Sequence, residues 1–412
     1  MDVIVAGAGP VGLLLAAELA LAGAEAVVLE RLAEPARAPK ARGIGPLAFE
    51  ALRRRGLGDR IAAHHPDGLQ DRVRDHGTEK GHFAWIHKLD PLERQGALIW
   101  QPDLEAVLAE YAAELGVKVL RGREVTALTQ DEDGVTVEAG GERFSAAYAV
   151  GCDGGHSAVR GLAGFDFPGI QPIMTVRRAQ ADYSGDLPPQ GRTPYGTLFH
   201  GPGVLGTFDF DGQASKGPIT AEELQDSVRR VSGTDVIVNS VGEGIRFTDY
   251  AAQATTYRRG RVLLAGDAAH VHSPNGGQGL NLGLLDATNL GWKLAAAIAG
   301  EEELLDTYTA ERHPVGAAVL HNTLAQSALM RPGPHTDALR DIVGELMELP
   351  EVNRYFGELL AGLRTRYDLP GDHPLIGTYC PDQGTAVEGG FFRVDGPPAL
   401  LLRPDGVVVE VA

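Results

Sequence analysis

The chain has 412 residues, which is long enough to bury a sizeable core without disulfides or a structural metal. Its 55 acidic and 37 basic residues give a formal net charge of -18, and this charge repels nucleic-acid phosphates and anionic membrane surfaces. The two cysteines, Cys152 and Cys380, form no Cys-x-x-Cys pair and stand at no metal-ligand spacing, so we expect neither a disulfide framework nor a metal site. We find no signal-peptide pattern and no apolar stretch fit for a membrane span, and we expect a cytoplasmic protein.

The hydrophobic pattern changes twice along the chain. Strands and helices alternate at first, which predicts a parallel sheet, and short strands between Gly- and Pro-rich turns at 173–249 predict a separate antiparallel layer. The first pattern then returns, so the first domain is expected to be discontinuous. The predicted elements are strands at 3–6, 26–29 and 117–120, helices at 13–21 and 104–115, a hairpin at 125–138, a strand at 262–265, a helix at 280–299 and a strand pair at 399–402 and 407–411.

A dinucleotide-binding fingerprint lies between the first strand and the first helix. In Gly7-x-Gly9-x-x-Gly12, the first glycine permits a tight turn, the second lets the backbone approach a pyrophosphate, and the third allows close helix packing. The helix start offers amides and a partial positive charge to the anion, and Glu30 closes the second strand where a ribose is expected. The plainer alternative is a Gly-rich turn in an α/β protein that binds no nucleotide.

A second match to the same pattern, at 201–206, sits between strand-like segments with no helix after it. We interpret it as a hairpin loop, which leaves a single dinucleotide fold in the chain.

Two further motifs carry the most specific signal. Residues 147–160 read as a strand, an Asp153-Gly154 turn and a helix start, and residues 261–281 combine a strand, a Gly266-Asp267 turn and a Gly-rich helix start. At this point the sequence resembles the group A flavoprotein monooxygenases, the aromatic hydroxylases of the p-hydroxybenzoate hydroxylase type. Within them it is most similar to the hydroxylases of aromatic polyketide antibiotics and to rifampicin monooxygenases. The resemblance covers roughly residues 1–368.

The resemblance implies which residues bind the flavin cofactor. Gly7, Gly9 and Gly12 would form the phosphate loop, and the remaining implied contacts run along the whole first domain. These are Val11 at the FAD pyrophosphate, Glu30 at the adenosine ribose with Arg31 beside it, Arg42 near the flavin, Gln101 at the ribityl chain, Val125 at the adenine, Asp153 at the motif shared by FAD and NAD(P)H, Asp267 at ribityl or phosphate-proximal hydroxyls, Pro274 beside the isoalloxazine, and Gly277, Gly279, Leu280 and Asn281 under its pyrimidine edge.

Several of these residues have a plainer interpretation. Asp267 is also favoured as a helix cap, Asp153 as a turn residue, and Arg42 as a surface charge.

Three residues next to the motifs are also ambiguous. His270 and His272 invite a catalytic role, but a structural one is the more common for such residues. Arg160 is either a structural anchor or a cofactor contact. We expect Cys152 to be a small buried residue with no reactive role.

The resemblance also implies the reaction. FAD, reduced by NADPH or NADH, would react with O2 to a flavin C4a-hydroperoxide that hydroxylates an aromatic, polyketide-type substrate. A Baeyer-Villiger or antibiotic-inactivating monooxygenase is the alternative within the class, and an FAD- or ligand-binding protein without turnover is the alternative outside it. We expect a monomer or a homodimer, with neither nucleic acid nor membrane as a partner.

The expected architecture is α/β: a Rossmann-like FAD-binding domain, a second antiparallel-sheet substrate domain, and a shortened C-terminal region. The FAD-binding domain would comprise residues 1–172 and 250–330. Residues 173–249 would form the substrate domain, to which residues 70–99 would contribute. Residues 331–412 would hold C-terminal helices and a reduced thioredoxin-like remnant. We expect most of five aromatic residues of the second domain to be core rather than substrate contacts: Phe83, Trp85, Phe199, Phe208 and Phe210.

Overall fold

The computed structural model describes residues 1–36, 41–64, 82–211, 215, 217–387 and 390–412. The part of the predicted 70–99 contribution that falls at 70–81 lies outside the described residues. The helices are α1 (Pro10–Leu21), α2 (Pro46–Arg54), α3 (Gly58–Ala63), α4 (Gln101–Glu114), α5 (Ala158–Leu162), α6 (Ala221–Ser232), α7 (Gly279–Ile298), α8 (Asp306–Met330), α9 (Pro334–Met347) and α10 (Pro350–Ala361).

The strands fall into several sheets and are numbered in chain order. Their bounds are β1 (Val3–Ala6), β2 (Ala26–Glu30), β3 (Gly43–Ile44), β4 (His82–Phe83), β5 (His87–Lys88), β6 (Ala97–Leu98), β7 (Lys118–Arg121), β8 (Val125–Gln130), β9 (Val135–Ala139), β10 (Glu142–Ala146), β11 (Tyr148–Gly151), β12 (Gly169–Ile170), β13 (Thr175–Ser184), β14 (Gly191–Thr193), β15 (Gly196–Gly201), β16 (Val204–Asp209), β17 (Ile237–Thr248), β18 (Ala251–Gln253), β19 (Arg258–Arg259), β20 (Val262–Leu264), β21 (His270–Val271), β22 (Thr385–Ala386), β23 (Phe392–Val394), β24 (Leu400–Leu402) and β25 (Val408–Val411).

The central sheet has the order β19-β20-β11-β1-β2-β7, and all neighbouring pairs are parallel except β19 with β20. Strand β1 is an unbroken apolar run that is fully buried, as expected of a parallel strand covered on both faces. Ala6 at its end stands opposite Gly151 of β11 and Leu29 of β2. The loops that follow these three strands therefore leave the sheet at one edge, which is where ligands bind in open α/β sheets.

A second, antiparallel sheet has the order β14-β15-β16-β13-β17. Helix α6 packs on one face of it through Leu224, Val228 and Val231, and the other face looks toward the edge of the central sheet described below. Residues 201–206 lie where β15 turns into β16, so the interpretation of this glycine pattern as a hairpin loop is confirmed.

The last fifty residues pack against helices α7 and α8. They hold the four-stranded antiparallel sheet β22-β23-β24-β25. Arg403, after β24, forms a bidentate ion pair with Glu311 of α8 at 2.8 Å, and the buried Asp405 accepts a hydrogen bond from Asn289 of α7. No helix in the described ranges is long and apolar enough to cross a membrane.

Candidate functional site

A large cleft runs from the edge of the central sheet to the open face of the antiparallel sheet. Its volume is about 2060 Å³, roughly twice the upper end of the usual range for small-molecule sites. All of the sequence-predicted binding residues except Gly12 line it. Segments that are far apart in sequence therefore meet around one space, which is large enough for a dinucleotide and a second molecule.

The glycine loop is built to bring backbone close to a ligand. Gly7 has a φ of 105°, and a Cβ on it would lie 2.5 Å from the Cys152 carbonyl oxygen. A Cβ on Gly12 would collide with the Gly7 carbonyl oxygen, so Gly12 serves the packing of α1 on the loop. Gly9 has open space where a Cβ would be. Because α1 begins at Pro10, the amides of its first turn, including that of Val11, have no intrahelical acceptor.

Glu30 closes the loop from the end of β2. Its carboxylate accepts hydrogen bonds from the Ala8 amide at 2.7 Å and the Leu32 amide at 2.8 Å, and only 8% of the residue is exposed. The carboxylate oxygens have further lone pairs, so Glu30 can still accept hydrogen bonds from hydroxyl groups in the cleft. Arg31, next to it, is exposed at the cleft wall.

The Gly266-Asp267 turn follows β20 and presents its carboxylate to the cleft. Gly266 has a φ of 62°, and its amide donates to Asp286 Oδ2 of α7 at 3.0 Å. The Asp267 side chain is exposed, lines the cleft and caps no helix. The helix-cap alternative is therefore wrong for Asp267. Its carboxylate is available to accept hydrogen bonds from a ligand.

Beneath this turn lies a fully buried polar network. Asp286 accepts hydrogen bonds from His270 Nε2 and from Arg312 Nε, both at 2.7 Å, and all three residues are 0% exposed. Burial alone would raise the pKa of Asp286, but the charges and hydrogen bonds of Arg312 and His270 outweigh it and hold the pKa below its usual value. An ionised Asp286 accepts the Gly266 amide strongly and so fixes the turn. His270 is thus structural.

The Gly-rich start of α7 forms the opposite wall. Pro274, Gly277, Gly279 and Leu280 line the cleft, and Gly277 has a φ of 65°. Asn281 holds the two sides together because its Oδ1 accepts from the Gly45 amide at 2.6 Å and its Nδ2 donates to the Gly277 carbonyl at 3.0 Å. The first amides of this twenty-residue helix have no intrahelical acceptor, and the helix start lines the cleft. They favour negative charge there.

Arg42, Gln101 and Val125 lie along the cleft between these walls. Arg42 is exposed, and no hydrogen bond to its guanidinium is found among the described residues. Gln101 begins α4 and donates from Nε2 to Glu105 Oε1 at 2.8 Å, which leaves its carbonyl oxygen free to accept. Val125 is buried at the start of β8.

Asp153 and Arg160 have local partners. The Asp153 carboxylate accepts hydrogen bonds from the Ser157 hydroxyl and from the amides of Ala158 and Val159, so it holds the start of α5 while lining the cleft. Arg160 donates to the carbonyls of Ala268 at 2.9 Å and Gly155 at 2.7 Å. It does not line the cleft, and of its two alternatives the geometry favours the structural anchor.

Burial shifts the pKa values of Cys152 and His272, which both line the cleft. Burial, together with the nearby charges of Asp153 and Asp286, raises the pKa of the Cys152 thiol well above its usual value. Burial lowers the pKa of His272, whose Nδ1 donates to the Ser273 carbonyl at 2.7 Å. A neutral His272 with one nitrogen already bonded lines the cleft as a polar wall residue.

The second half of the cleft is aromatic and apolar. Trp85, Phe199 and Phe208 line it, with ring centroids of Phe199 and Phe208 4.8 Å apart and those of Trp85 and Phe199 5.9 Å apart. Phe83 instead packs on Phe356 in the core. Most of the five aromatic residues are core as expected, because Phe83 and Phe208 belong to one apolar cluster and Phe199 and Phe210 pack against it. Phe199 and Phe208 also line the cleft, together with the exposed Trp85.

Sequence reasoning missed the residues that hold the site from behind. Asp286 lies in the middle of an apolar stretch of α7. A charged residue in such a stretch is visible in the sequence and indicates a buried, paired carboxylate. The Asn281 contact with Gly45 spans 236 residues and left no local signal. Asn322 and Gln278 are also buried. Asn322 donates a hydrogen bond to Gln278 Oε1 at 2.6 Å and so fixes the turn before α7.

The residues present fit FAD. The space beside Gly9 is open, so a pyrophosphate can approach the backbone amides at the start of α1. Glu30 and Asp267 offer acceptors to hydroxyl groups, and the start of α7 offers amides to an electron-rich ring. The cleft volume leaves space beyond the cofactor.

Comparison with known proteins agrees with this geometry. The FAD binding domain family matches residues 1–323. The 12-dehydrotetracycline 5-monooxygenase/anhydrotetracycline 6-monooxygenase of Streptomyces rimosus is 43% identical over 94% of this chain and 82% of that protein. A rifampicin monooxygenase of Streptomyces venezuelae is 39% identical over 99% of this chain and 95% of its own length.

A solved structure extends the similarity to the three-dimensional fold. OxyS anhydrotetracycline hydroxylase from Streptomyces rimosus superposes with a TM-score of 0.86 at 39% identity, over 100% of this chain and 95% of that one. The predicted α/β fold and the resemblance to group A flavoprotein monooxygenases are confirmed. The chain belongs to the FAD binding domain family and is a flavin-dependent monooxygenase.

Proposed function

We propose that this enzyme hydroxylates an aromatic, polyketide-type small molecule with FAD, NADPH or NADH, and O2. The observation that carries the proposal is the continuity of the cleft, in which a dinucleotide cradle opens directly onto an aromatic wall. Relatives that act on anhydrotetracycline and rifampicin support a fused-ring or macrocyclic aromatic substrate. The aromatic residues Trp85, Phe199 and Phe208 suit a flat ring system of this kind.

The residues of the chain would divide the work of holding FAD. The Val11 amide would bind the pyrophosphate, Glu30 the adenosine ribose, and Asp267 the hydroxyls between phosphate and flavin. When bound and reduced by NAD(P)H, FAD supplies the oxygen-activating chemistry. The amides at the start of α7, near Gly279 and Asn281, would stabilise the negative charge of the reduced ring.

Further contacts are proposed along the same cleft. Arg31 would lie beside the ribose end, Arg42 near the flavin, and Gln101 along the ribityl chain. Val125 would meet the adenine through its backbone. Pro274 and Leu280 would flank the ring, and Asp153 would keep the loop after β11 in place while it holds α5.

Exclusion of water is the task of the antiparallel sheet. Val176, Phe208 and Phe247 stand side by side across three adjacent strands and line the cleft. An apolar wall of this kind keeps a reactive oxygen species away from water and orients the substrate ring against the cofactor.

Turnover with candidate substrates tests the proposal. The purified chain, loaded with FAD, is given NADPH or NADH with anhydrotetracycline or rifampicin, and coenzyme oxidation is followed by absorbance. We expect substrate-stimulated oxidation and a product that carries one atom of labelled oxygen from O2. A product with an oxygen inserted into a carbon-carbon bond would identify the Baeyer-Villiger alternative, and an inactivated rifampicin product the antibiotic-modifying one.

A protein that binds FAD and shows no turnover with any aromatic substrate would contradict the proposal and favour the ligand-binding alternative. We place the reaction in the cytoplasm, where NAD(P)H is available and where two buried, unpaired cysteines stay reduced. The assembly state, a monomer or a homodimer, stays a prediction for size-exclusion chromatography with light scattering.

A further inference from the structure

Among the described strand residues of the antiparallel sheet that line the cleft, Arg178 is the one with a permanent charge, and apolar residues lie around it. Across the strands, Phe199 of β15 stands opposite Gly206 of β16, Gly206 opposite Arg178 of β13, and Arg178 opposite Ile245 of β17. Directly opposite residues point to the same face. Phe199, Arg178 and Ile245 all line the cleft.

Arg178 has no partner within the described parts of the chain. Its side chain is exposed, and no hydrogen bond or ion pair joins its guanidinium to another described residue. Its neighbour Arg177 differs in orientation, exposure and pairing. Arg177 points to the other face of the sheet, is 1% exposed and pairs with Glu223 at 2.7 Å. The buried Arg177 is thus paired with a carboxylate, whereas Arg178 lines the cleft with no partner among the described residues.

Gly206 keeps the surroundings of Arg178 open. A Cβ on Gly206 would lie 2.6 Å from the Arg177 carbonyl oxygen and 3.2 Å from the Arg178 Cβ, so only glycine fits between Arg178 and Phe199. No side chain at this position therefore separates the guanidinium from the aromatic wall. A ligand ring on Phe199 can place a substituent within reach of Arg178.

We propose that Arg178 is a specificity-determining residue that binds an anionic oxygen of the aromatic substrate, such as a carboxylate, phenolate or enolate. A guanidinium presents paired donors that match such groups and is always charged. Beside an apolar wall, the interaction is screened less by water than on an open surface. The inference rests on the proposed function for its substrate class. It goes beyond that function because an aromatic wall can bind a flat ring without the positive charge of Arg178.

A pair of anthraquinones tests the inference by binding alone. Anthraquinone-2-carboxylate and neutral 2-(hydroxymethyl)anthraquinone are titrated into the FAD-loaded enzyme at pH 7.5, and the flavin absorbance change gives each dissociation constant. We expect the wild type to prefer the carboxylate. Arg178→Met is expected to weaken carboxylate binding by about 10- to 100-fold and to change binding of the neutral probe by less than about twofold.

Two further variants sharpen the result. Arg178→Lys keeps the charge and loses the paired donors, so we expect an affinity for the carboxylate between those of the wild type and Arg178→Met. Arg143→Met removes an exposed arginine of β10, outside the cleft, and controls for the loss of one positive charge. It is expected to leave both dissociation constants unchanged.

The coenzyme is the second source of anionic oxygen, and NADP+ titrations distinguish it. Weaker NADP+ binding by Arg178→Met with an unchanged preference between the anthraquinones would overturn the inference, as would equal or absent binding of the two anthraquinones by the wild type. Because these titrations need no turnover, lack of an oxygenated product would contradict the proposed function while leaving the role of Arg178 measurable.

Discussion

At the scale of single residues, the phosphate loop contains glycines that are required for different reasons. Gly12 is needed by the chain itself, because any side chain there would collide with the Gly7 carbonyl oxygen. Gly9 is not, since its Cβ position is open and its φ of -75° suits any residue. A requirement for glycine at Gly9 would therefore come only from a ligand that approaches the backbone.

The two glycines give a paired prediction. Gly12→Ala is expected to lower the free energy of unfolding of the FAD-free protein by about 1 to 3 kcal/mol, as overpacking does. Gly9→Ala is expected to leave that stability unchanged and to weaken FAD binding. Chemical denaturation and quenching of flavin fluorescence measure the two quantities. Wild-type FAD affinity in Gly9→Ala would show that the pyrophosphate does not approach this loop.

At the scale of elements, local patterns were predictable and long-range pairs were not. The order of β1, α1 and β2 followed from apolar periodicity and glycine spacing, and the hairpin at 201–206 followed from the lack of a helix after it. The cleft depends on contacts such as Asp286 with Arg312, which join α7 to α8. Spacing along one strand or helix does not reveal such pairs, because they depend on how elements pack.

Arg178 illustrates the same limit. An arginine alternating with apolar residues on a strand usually indicates a face turned to solvent. Here that face lines a cleft, because Trp85 from a distant segment and the edge of the central sheet stand opposite it. The packing of the two sheets therefore places Arg178 in a cleft, where it can bind a ligand, rather than on an open surface.

A buried lysine of α7 pairs with a glutamate of α8 that also pairs with the turn between β24 and β25. Lys293 is 0% exposed, and its Nζ lies 2.9 Å from Glu311 Oε2, which also pairs with Arg403. Burial lowers the pKa of Lys293 to about 8, and the attraction of Glu311 offsets this only in part. Glu311 thus links Lys293, with its pKa of about 8, to Arg403 of the C-terminal hairpin.

The sign of the resulting pH dependence follows from proton binding. Between about pH 8 and 10.5 the unfolded chain keeps the Lys293 proton while the folded protein has lost it, so the free energy of unfolding rises with pH in this range. We expect a gain of about 1.5 kcal/mol from pH 8 to 9.5. Urea denaturation at both pH values, compared with Lys293→Met, isolates it. An identical pH dependence in the variant would contradict the assignment.

At the scale of the whole molecule, the cleft joins parts that are far apart in sequence. Its lining runs from Ala6 at the end of β1 to Ala361 at the end of α10, and it includes both the central and the antiparallel sheet. A ligand that fills the first half of this cleft contacts the loops after β1, β2 and β20 together. Binding of FAD should therefore stabilise the chain as one unit.

Thermodynamic linkage makes this expectation quantitative. At a free FAD concentration one hundred times the dissociation constant, the free energy of unfolding should rise by about 2.7 kcal/mol. Tryptophan fluorescence reports on both regions, since Trp85 lies beside the antiparallel sheet and Trp100 precedes α4. We expect one transition that shifts upward with FAD, and a smaller shift in Gly9→Ala at the same FAD concentration. Two separate transitions, of which FAD shifts only one, would show that the sheets unfold independently and that the cleft does not couple them.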